Sequence, residues 1–85
     1  MHNLLEIERV ILSSVIYELT AEKEEQIERL QVKDFFLIGH QDIFSAIKHL
    51  VSLSKPFEEN LLNKYLIKYK TFDEQIMLDI ITTTP

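Results

Sequence analysis

The sequence predicts an all-α protein, a compact bundle of about five to six short helices. One glycine and two prolines in 85 residues leave too few chain-breaking residues for a fold built from tight hairpins. Apolar residues recur at helical spacing in successive segments, and short connections between amphipathic helices favour a bundle. With 46% hydrophobic residues the chain can bury one core, so we expect residues 1–85 to form a single domain.

Polar caps mark the start of the first two predicted helices. Asn3 and Glu6 have the spacing of a capping box and open a helix over about Leu4–Leu19. Thr20 is the expected N-cap of a second, shorter helix that ends near Leu30. The glutamates of this second helix suit the positive end of its dipole, and we interpret the charged run as a solvated face.

The next stretch contains the densest clustering of aromatic residues. Gln31–Ile38 lacks a helical period and is interpreted as a connecting turn whose aromatic side chains fill the core. We expect Gly39 to adopt a special backbone conformation before a third helix over about His40–Ser54, which Lys55-Pro56 ends. The predicted core comprises Leu12, Phe35, Phe36, Ile43, Phe44, Ile47 and Leu50.

Two further helices are predicted near the C-terminus. A fourth runs over about Glu58–Tyr69, and Thr71 with Glu74 opens a fifth that ends near Ile81. Apolar residues are spread almost all round the fifth helix, more than one neighbour in a small domain can cover. The candidate interface residues are Ile67, Leu78 and Ile81.

Glu8 and His40 each occupy the centre of an otherwise apolar helical face. Two buried ionisable groups are best tolerated when they satisfy each other, so we predict a structural pair that fixes the register of the first and third helices. In the alternative, His40 caps the third helix and Glu8 meets a backbone amide.

The sequence offers no motif for catalysis. A single glycine excludes a phosphate-binding loop, and His2, His40 and His49 lack metal-ligand spacing. We therefore expect no catalytic, cofactor-binding or metal-binding residue in this chain. A net charge of −5 favours a protein partner over nucleic acid. The absence of cysteine, and an N-terminus without an uninterrupted apolar run, indicate a soluble cytoplasmic protein.

Three blocks of this sequence resemble the N-terminal domain of DnaB-type replicative DNA helicases. They are Glu8-Arg9-Val10-Ile11-Leu12-Ser13, Asp34-Phe35-Phe36 and His40-x-x-Ile43-Phe44-x-x-Ile47-x-x-Leu50. Thr84-Pro85 is similar to the Thr-Pro that closes the globular head of that domain. Ser13 and Phe36 depart from the glycine and tyrosine usual in the family.

The resemblance implies a non-catalytic head cut from a longer helicase, without the helical hairpin and ATPase domain that follow it in the family. It implies a role in assembling the hexameric ring and in recruiting primase at the bacterial replication fork. ATP and magnesium would be bound by the ATPase domain of the parent protein, which also makes the main contacts with DNA. The implied partners are primase and other helicase subunits, with initiator or loader proteins as further candidates.

Two other interpretations remain open from the sequence. A stand-alone adaptor or regulatory domain would bind a basic partner through the face of Glu22, Glu24, Glu25 and Glu28. A nucleic-acid-binding module would use Lys64, Lys68 and Lys70 with Tyr65 and Tyr69. For this second set we favour tyrosines in the core with lysines projecting into solvent.

Overall fold

The structure, a computed structural model, describes residues 3–54 and 58–83. These residues contain five α-helices and one short 3₁₀-helix. In chain order they are α1 (Leu4–Tyr17), α2 (Ala21–Arg29), the 3₁₀-helix (Val32–Asp34), α3 (Ile38–Ser52), α4 (Glu59–Lys68) and α5 (Glu74–Ile81). The predicted all-α class is confirmed. No helix in the described ranges is long and apolar enough to span a membrane.

The first two helices begin at the predicted caps. Asn3 Oδ1 accepts a hydrogen bond from the Glu6 amide at 2.8 Å, and Thr20 Oγ1 accepts from the Lys23 amide at 3.2 Å. The Lys23 ammonium also donates to the carbonyl of Ser14 at 2.9 Å and to that of Glu18 at 2.7 Å. A lysine of α2 therefore binds the carbonyl of Glu18, the C-cap of α1, and adds a second hydrogen bond to the Ser14 carbonyl, which also accepts from the Glu18 amide.

The predicted cap of the last helix was wrong. Asp73 is the N-cap of α5, and its carboxylate accepts from the Ile76 amide at 3.1 Å. The Thr71 amide instead donates to the Leu66 carbonyl at 2.9 Å, so Thr71 closes the end of α4. Both residues are good capping types, and the length of the turn after α4 decides between them.

Helix α3 lies at the centre of the core, where it packs against α1, α2, α4 and the 3₁₀-helix. Its buried face contains His40, Ile43, Phe44, Ala46, Ile47 and Leu50. The Phe44 ring lies 4.6 Å from the ring of Phe35, in a tilted aromatic pair. The helix ends at Ser52, two residues before Ser54 adopts a positive φ of 55°, and the predicted Lys55-Pro56 stop lies outside the described residues.

Phe36 was wrongly predicted to be in the core, because 72% of this residue is exposed. Its neighbour Phe35 is 3% exposed and has extended backbone angles of φ −88° and ψ 136°. Successive side chains in an extended segment point in opposite directions, so the connection buries one of the two aromatic rings and not both. The other six predicted core residues are buried.

Gly39 does not adopt the special backbone conformation that its position suggested. It lies in the first turn of α3, and no glycine in the described ranges has a positive φ. A methyl group built on Gly39 would overlap the Cδ1 atom of Ile76, and the Cγ2 atom of Ile76 would lie 3.4 Å from it. The end of the Ile76 side chain therefore packs over Gly39 and would have to move to admit a larger residue.

Helix α5 closes the domain by packing against α1. The Ser13 hydroxyl, fully buried on α1, donates to the Thr83 carbonyl at 2.8 Å, and the Tyr17 hydroxyl donates to the Ile81 carbonyl. Met77 and Ile80 are buried, and Ile81 packs half-buried beside them. Residues 77, 80 and 81 form one helical stripe, which explains why Ile81 is less available as an interface residue than we predicted.

Candidate functional site: a buried carboxylate–histidine pair

Glu8 and His40 lie together inside the domain. Glu8 on α1 is 3% exposed and His40 on α3 is 1% exposed. The Glu8 Oε1 atom lies 2.8 Å from His40 Nδ1, a distance typical of a charge-assisted hydrogen bond. An ionised carboxylate only accepts, so Nδ1 carries the proton and donates it to Glu8. The pair joins two helices that are 32 residues apart in sequence.

The same carboxylate accepts hydrogen bonds from the backbone before α3. Its Oε2 atom accepts from the Phe36 amide at 2.7 Å, and Oε1 also lies 3.5 Å from the Leu37 amide. Helix α3 begins after Leu37, which has no side chain able to cap it. Glu8 therefore supplies from α1 a negative charge at the positive end of the α3 dipole. Glu8 thus meets His40, as in the first interpretation, and backbone amides, as in the alternative, whereas His40 does not cap α3, whose N-cap is Leu37.

The buried carboxylate is held in its charged form. Burial alone would raise the pKa of Glu8, because it removes water from the anion. The hydrogen bond from the Phe36 amide, that from His40 and that from the Leu37 amide oppose this effect, as does the charge of His40, and together they lower the pKa of Glu8 below its ordinary value of 4.5. An ionised Glu8 is therefore part of the folded structure at neutral pH.

The contribution of Glu8 to stability is expected to disappear in acid. Because its pKa is lower in the folded than in the unfolded state, its contribution is complete above the ordinary value of 4.5 and is lost as the pH falls through the lowered pKa. We expect the urea midpoint of the wild-type chain to fall more steeply below pH 4.5 than that of Glu8→Gln, which has no carboxylate to protonate. Parallel pH profiles for the two proteins would contradict this assignment.

An amide partner for Glu8 was foreseen in the alternative interpretation, but not which amides it would be. Leu37 and Ile38 lack a capping side chain, so the amides at the start of α3 had to be satisfied from elsewhere. Gln41 is a second polar contact that we missed, since its side-chain amide donates to the Phe35 carbonyl at 2.7 Å. These bonds hold the Phe35–Leu37 connection between α1 and α3.

The arrangement is suited to holding helices together rather than to chemistry on a substrate. Both side chains of the pair are enclosed by the core, and neither lines a described cavity. Within residues 3–54 and 58–83, no group of three or more histidine, aspartate or glutamate side chains is placed to hold a metal ion.

The candidate interface residues lie apart from this pair. Ile67 on α4 is 59% exposed and Leu78 on α5 is 46% exposed, whereas Ile81 is half-buried. The four glutamates of α2 that formed the predicted acidic face are exposed. In the lysine and tyrosine segment, Tyr65 is half-buried as expected, but Tyr69 is exposed because it lies beyond the last turn of α4.

Fold and site together define a small all-α domain in which a buried carboxylate–imidazole pair fixes the central helix. A comparison with known families identifies it further. The model of the DnaB-like helicase N-terminal domain matches residues 1–85, the whole chain, and the chain belongs to this family. Searches of curated proteins and of solved structures give no match. The resemblance of the Glu8, Asp34 and His40 blocks is thereby confirmed.

Proposed function

We propose that this domain is the globular head of a replicative helicase's N-terminal region and that it acts as a non-catalytic scaffold. It supports assembly of the hexameric ring and recruits primase at the cytoplasmic replication fork. Initiator and loader proteins are further candidate partners. ATP and magnesium are bound by a separate ATPase domain of the parent protein, which makes the main contacts with DNA. Membership of the DnaB-like family supports this proposal at the level of a helicase N-terminal domain.

Surplus apolar surface on the last two helices is the observation that carries the scaffold role. More than half of Ile67 and almost half of Leu78 are exposed. Each points away from the buried stripe of its own helix, which is formed by Leu62 and Leu66 on α4 and by Met77 and Ile80 on α5. Large exposed aliphatic residues that the fold does not need are candidates for burial against a partner.

The test is a pair of substitutions in the full-length helicase, Ile67→Asp and Leu78→Asp. A carboxylate placed in a buried apolar contact should weaken ring assembly or primase binding by about 30-fold or more. Analytical ultracentrifugation measures the extent of hexamer formation. Surface plasmon resonance measures the affinity for purified primase. Unchanged values for both, with the helical circular dichroism spectrum intact, would exclude this surface.

Ile38→Asp is the matched control. Ile38 is exposed like Ile67, but it lies at the first position of α3, where an acidic side chain suits the helix dipole. The control makes the same chemical change on another face of the domain. It should therefore leave ring assembly and primase binding within about twofold of the wild-type values.

A groove beside α2 favours the adaptor function as a second candidate. Its volume is about 750 Å³, and Glu24 and Glu28 line it together with the apolar side chains of Leu19, Ile27 and Val51. Lys48 also lines the groove, so its charged residues leave one net negative charge beside apolar side chains, which suits an amphipathic basic segment of another protein. Charge reversal at Glu24 and Glu28 should abolish such binding without affecting ring assembly.

A further inference from the structure

The sign of the charge reverses locally on one part of this acidic chain. Residues 43–72 contain five lysines and only two glutamates, a net charge of +3 in a chain whose total is −5. The two glutamates are adjacent at the start of α4, and no acidic residue follows them until Asp73. The second half of α3 and the rest of α4 therefore present lysine and histidine without neighbouring carboxylates in the sequence.

Three aromatic rings form a continuous ladder across these two helices. The His49 ring of α3 lies 5.1 Å from the Tyr65 ring of α4, with an angle of 34° between their planes. The Tyr65 ring lies 4.6 Å from that of Tyr69 at 41°. Tyr65 is half-buried, whereas His49 and Tyr69 are exposed. The inner ring is thus fixed by the core, and the two outer rings are available to solvent.

Lysines flank this ladder around a shallow cavity. Its volume is about 270 Å³, and its lining includes the three rings, Leu53, Lys64 and Lys68, with no carboxylate among the lining residues. The Lys68 ammonium lies 5.6 Å from the centre of the Tyr69 ring. Lys64 and Lys68 are four residues apart, so their Cα atoms are about 6 Å apart along the helix axis. We call His49, Lys64, Tyr65, Lys68 and Tyr69 the aromatic–lysine site.

We propose that the aromatic–lysine site binds single-stranded nucleic acid, with a base stacked on the exposed Tyr69 ring and the flanking lysines on backbone phosphates. The ligand chemistry is a nucleobase joined to phosphate, and exposed aromatic faces beside lysines recognise this combination without base specificity. A strand is favoured over a free nucleotide because the two lysines lie along the axis of α4 and can contact successive phosphates. The proposal does not rest on primase recruitment or on ring assembly.

Fluorescence anisotropy of the 85-residue chain with a short labelled oligothymidylate tests the proposal. If Lys64 and Lys68 each contact a phosphate, the logarithm of the affinity should fall with the logarithm of salt concentration with a slope of about −1.4. Tyr69→Ala should weaken binding about 5- to 100-fold, and Tyr69→Phe should keep it within about twofold because the stacking ring remains.

Charge variants separate a local site from a general electrostatic effect. Lys68→Glu should make the salt slope shallower by about 0.7. Lys33→Glu, on the 3₁₀-helix and outside the lining of the cavity, should leave the slope unchanged although the net charge changes equally. Circular dichroism checks that each variant is folded. In the wild-type chain, amide chemical shifts measured during the titration should change at His49 and Tyr69.

Three competition results would overturn the proposal. Thymidine monophosphate that competes as well as the oligonucleotide would identify a free-nucleotide site. Polyphosphate that competes as well as the oligonucleotide would show that charge alone drives binding. An acidic polypeptide that competes equally well would identify a protein-docking face. An unchanged affinity of Tyr69→Ala would also overturn it. A strand that competes at least about tenfold better than each of these ligands would support it.

Discussion

Glu8→Ala is expected to destabilise the domain by about 3–5 kcal/mol, the loss typical when one partner of a buried charged network is removed. The substitution leaves the Phe36 amide and the His40 imidazole buried without their acceptor. For a domain of this size the total stability is on the order of 4–13 kcal/mol, so the substitution should remove between about a quarter and all of it. Urea denaturation followed by circular dichroism measures the difference.

Two control variants distinguish the amide contacts from the histidine contact. Glu8→Gln keeps one acceptor oxygen and should lose only about 1–3 kcal/mol. Replacing both partners, as Glu8→Leu with His40→Leu, removes the pair without leaving either polar group buried alone, and such changes are often neutral. Here the double variant should still be destabilised, because the Phe36 amide loses its acceptor. A double variant as stable as the wild type would show that the amide contact contributes nothing.

The carboxylate thus has two structural functions in one position. Its contact with His40 sets the register of α1 against α3, and its contacts with the Phe36 and Leu37 amides fix where α3 begins. The start of α3 in turn determines which side of the helix carries Phe44 and Ile47 into the core. A single side chain on the first helix therefore positions the central helix of the domain.

Regular periodicity explains what the sequence could predict. The helices were recognisable because caps such as Asn3 and Thr20 and apolar stripes of period 3.6 are local signals. The juxtaposition of Glu8 and His40 was also accessible, since each is a polar residue at the centre of an apolar face, and the structure has their atoms 2.8 Å apart. No family knowledge was needed for either inference.

Irregular backbone explains what the sequence could not predict. Composition alone does not show which of two adjacent phenylalanines points inward in a connection without a period. The Ile76 side chain, 37 positions further along the chain, packs over Gly39, and a contact of that kind has no local signature. The choice between Thr71 and Asp73 as a cap depends on how the turn after α4 is closed. The first two are decided by tertiary packing, and the third by the hydrogen bonds of the turn itself.

The two adjacent phenylalanines also provide the second large effect that we expect. Phe35→Ala should cost about 3–5 kcal/mol, because it removes a buried ring and leaves a cavity against Phe44. Part of this loss, about 0.5–1.5 kcal/mol, comes from the aromatic pair itself. Phe44→Leu keeps an apolar side chain but removes the pair, so Phe35→Ala should cost less in that background than in the wild type. Urea denaturation of the four proteins gives the coupling.

Phe36→Ala is the matched control for this effect. The substitution is the same and the position differs by one residue, but the Phe36 side chain lies in solvent and only its backbone amide is used, by Glu8. We expect a change within about 0.5 kcal/mol, as for other exposed side chains. A loss for Phe36→Ala as large as that for Phe35→Ala would place both rings in the core and would contradict the alternation of side chains in this connection. Equally small losses for both would show that the Phe35–Phe44 contact does not stabilise the fold.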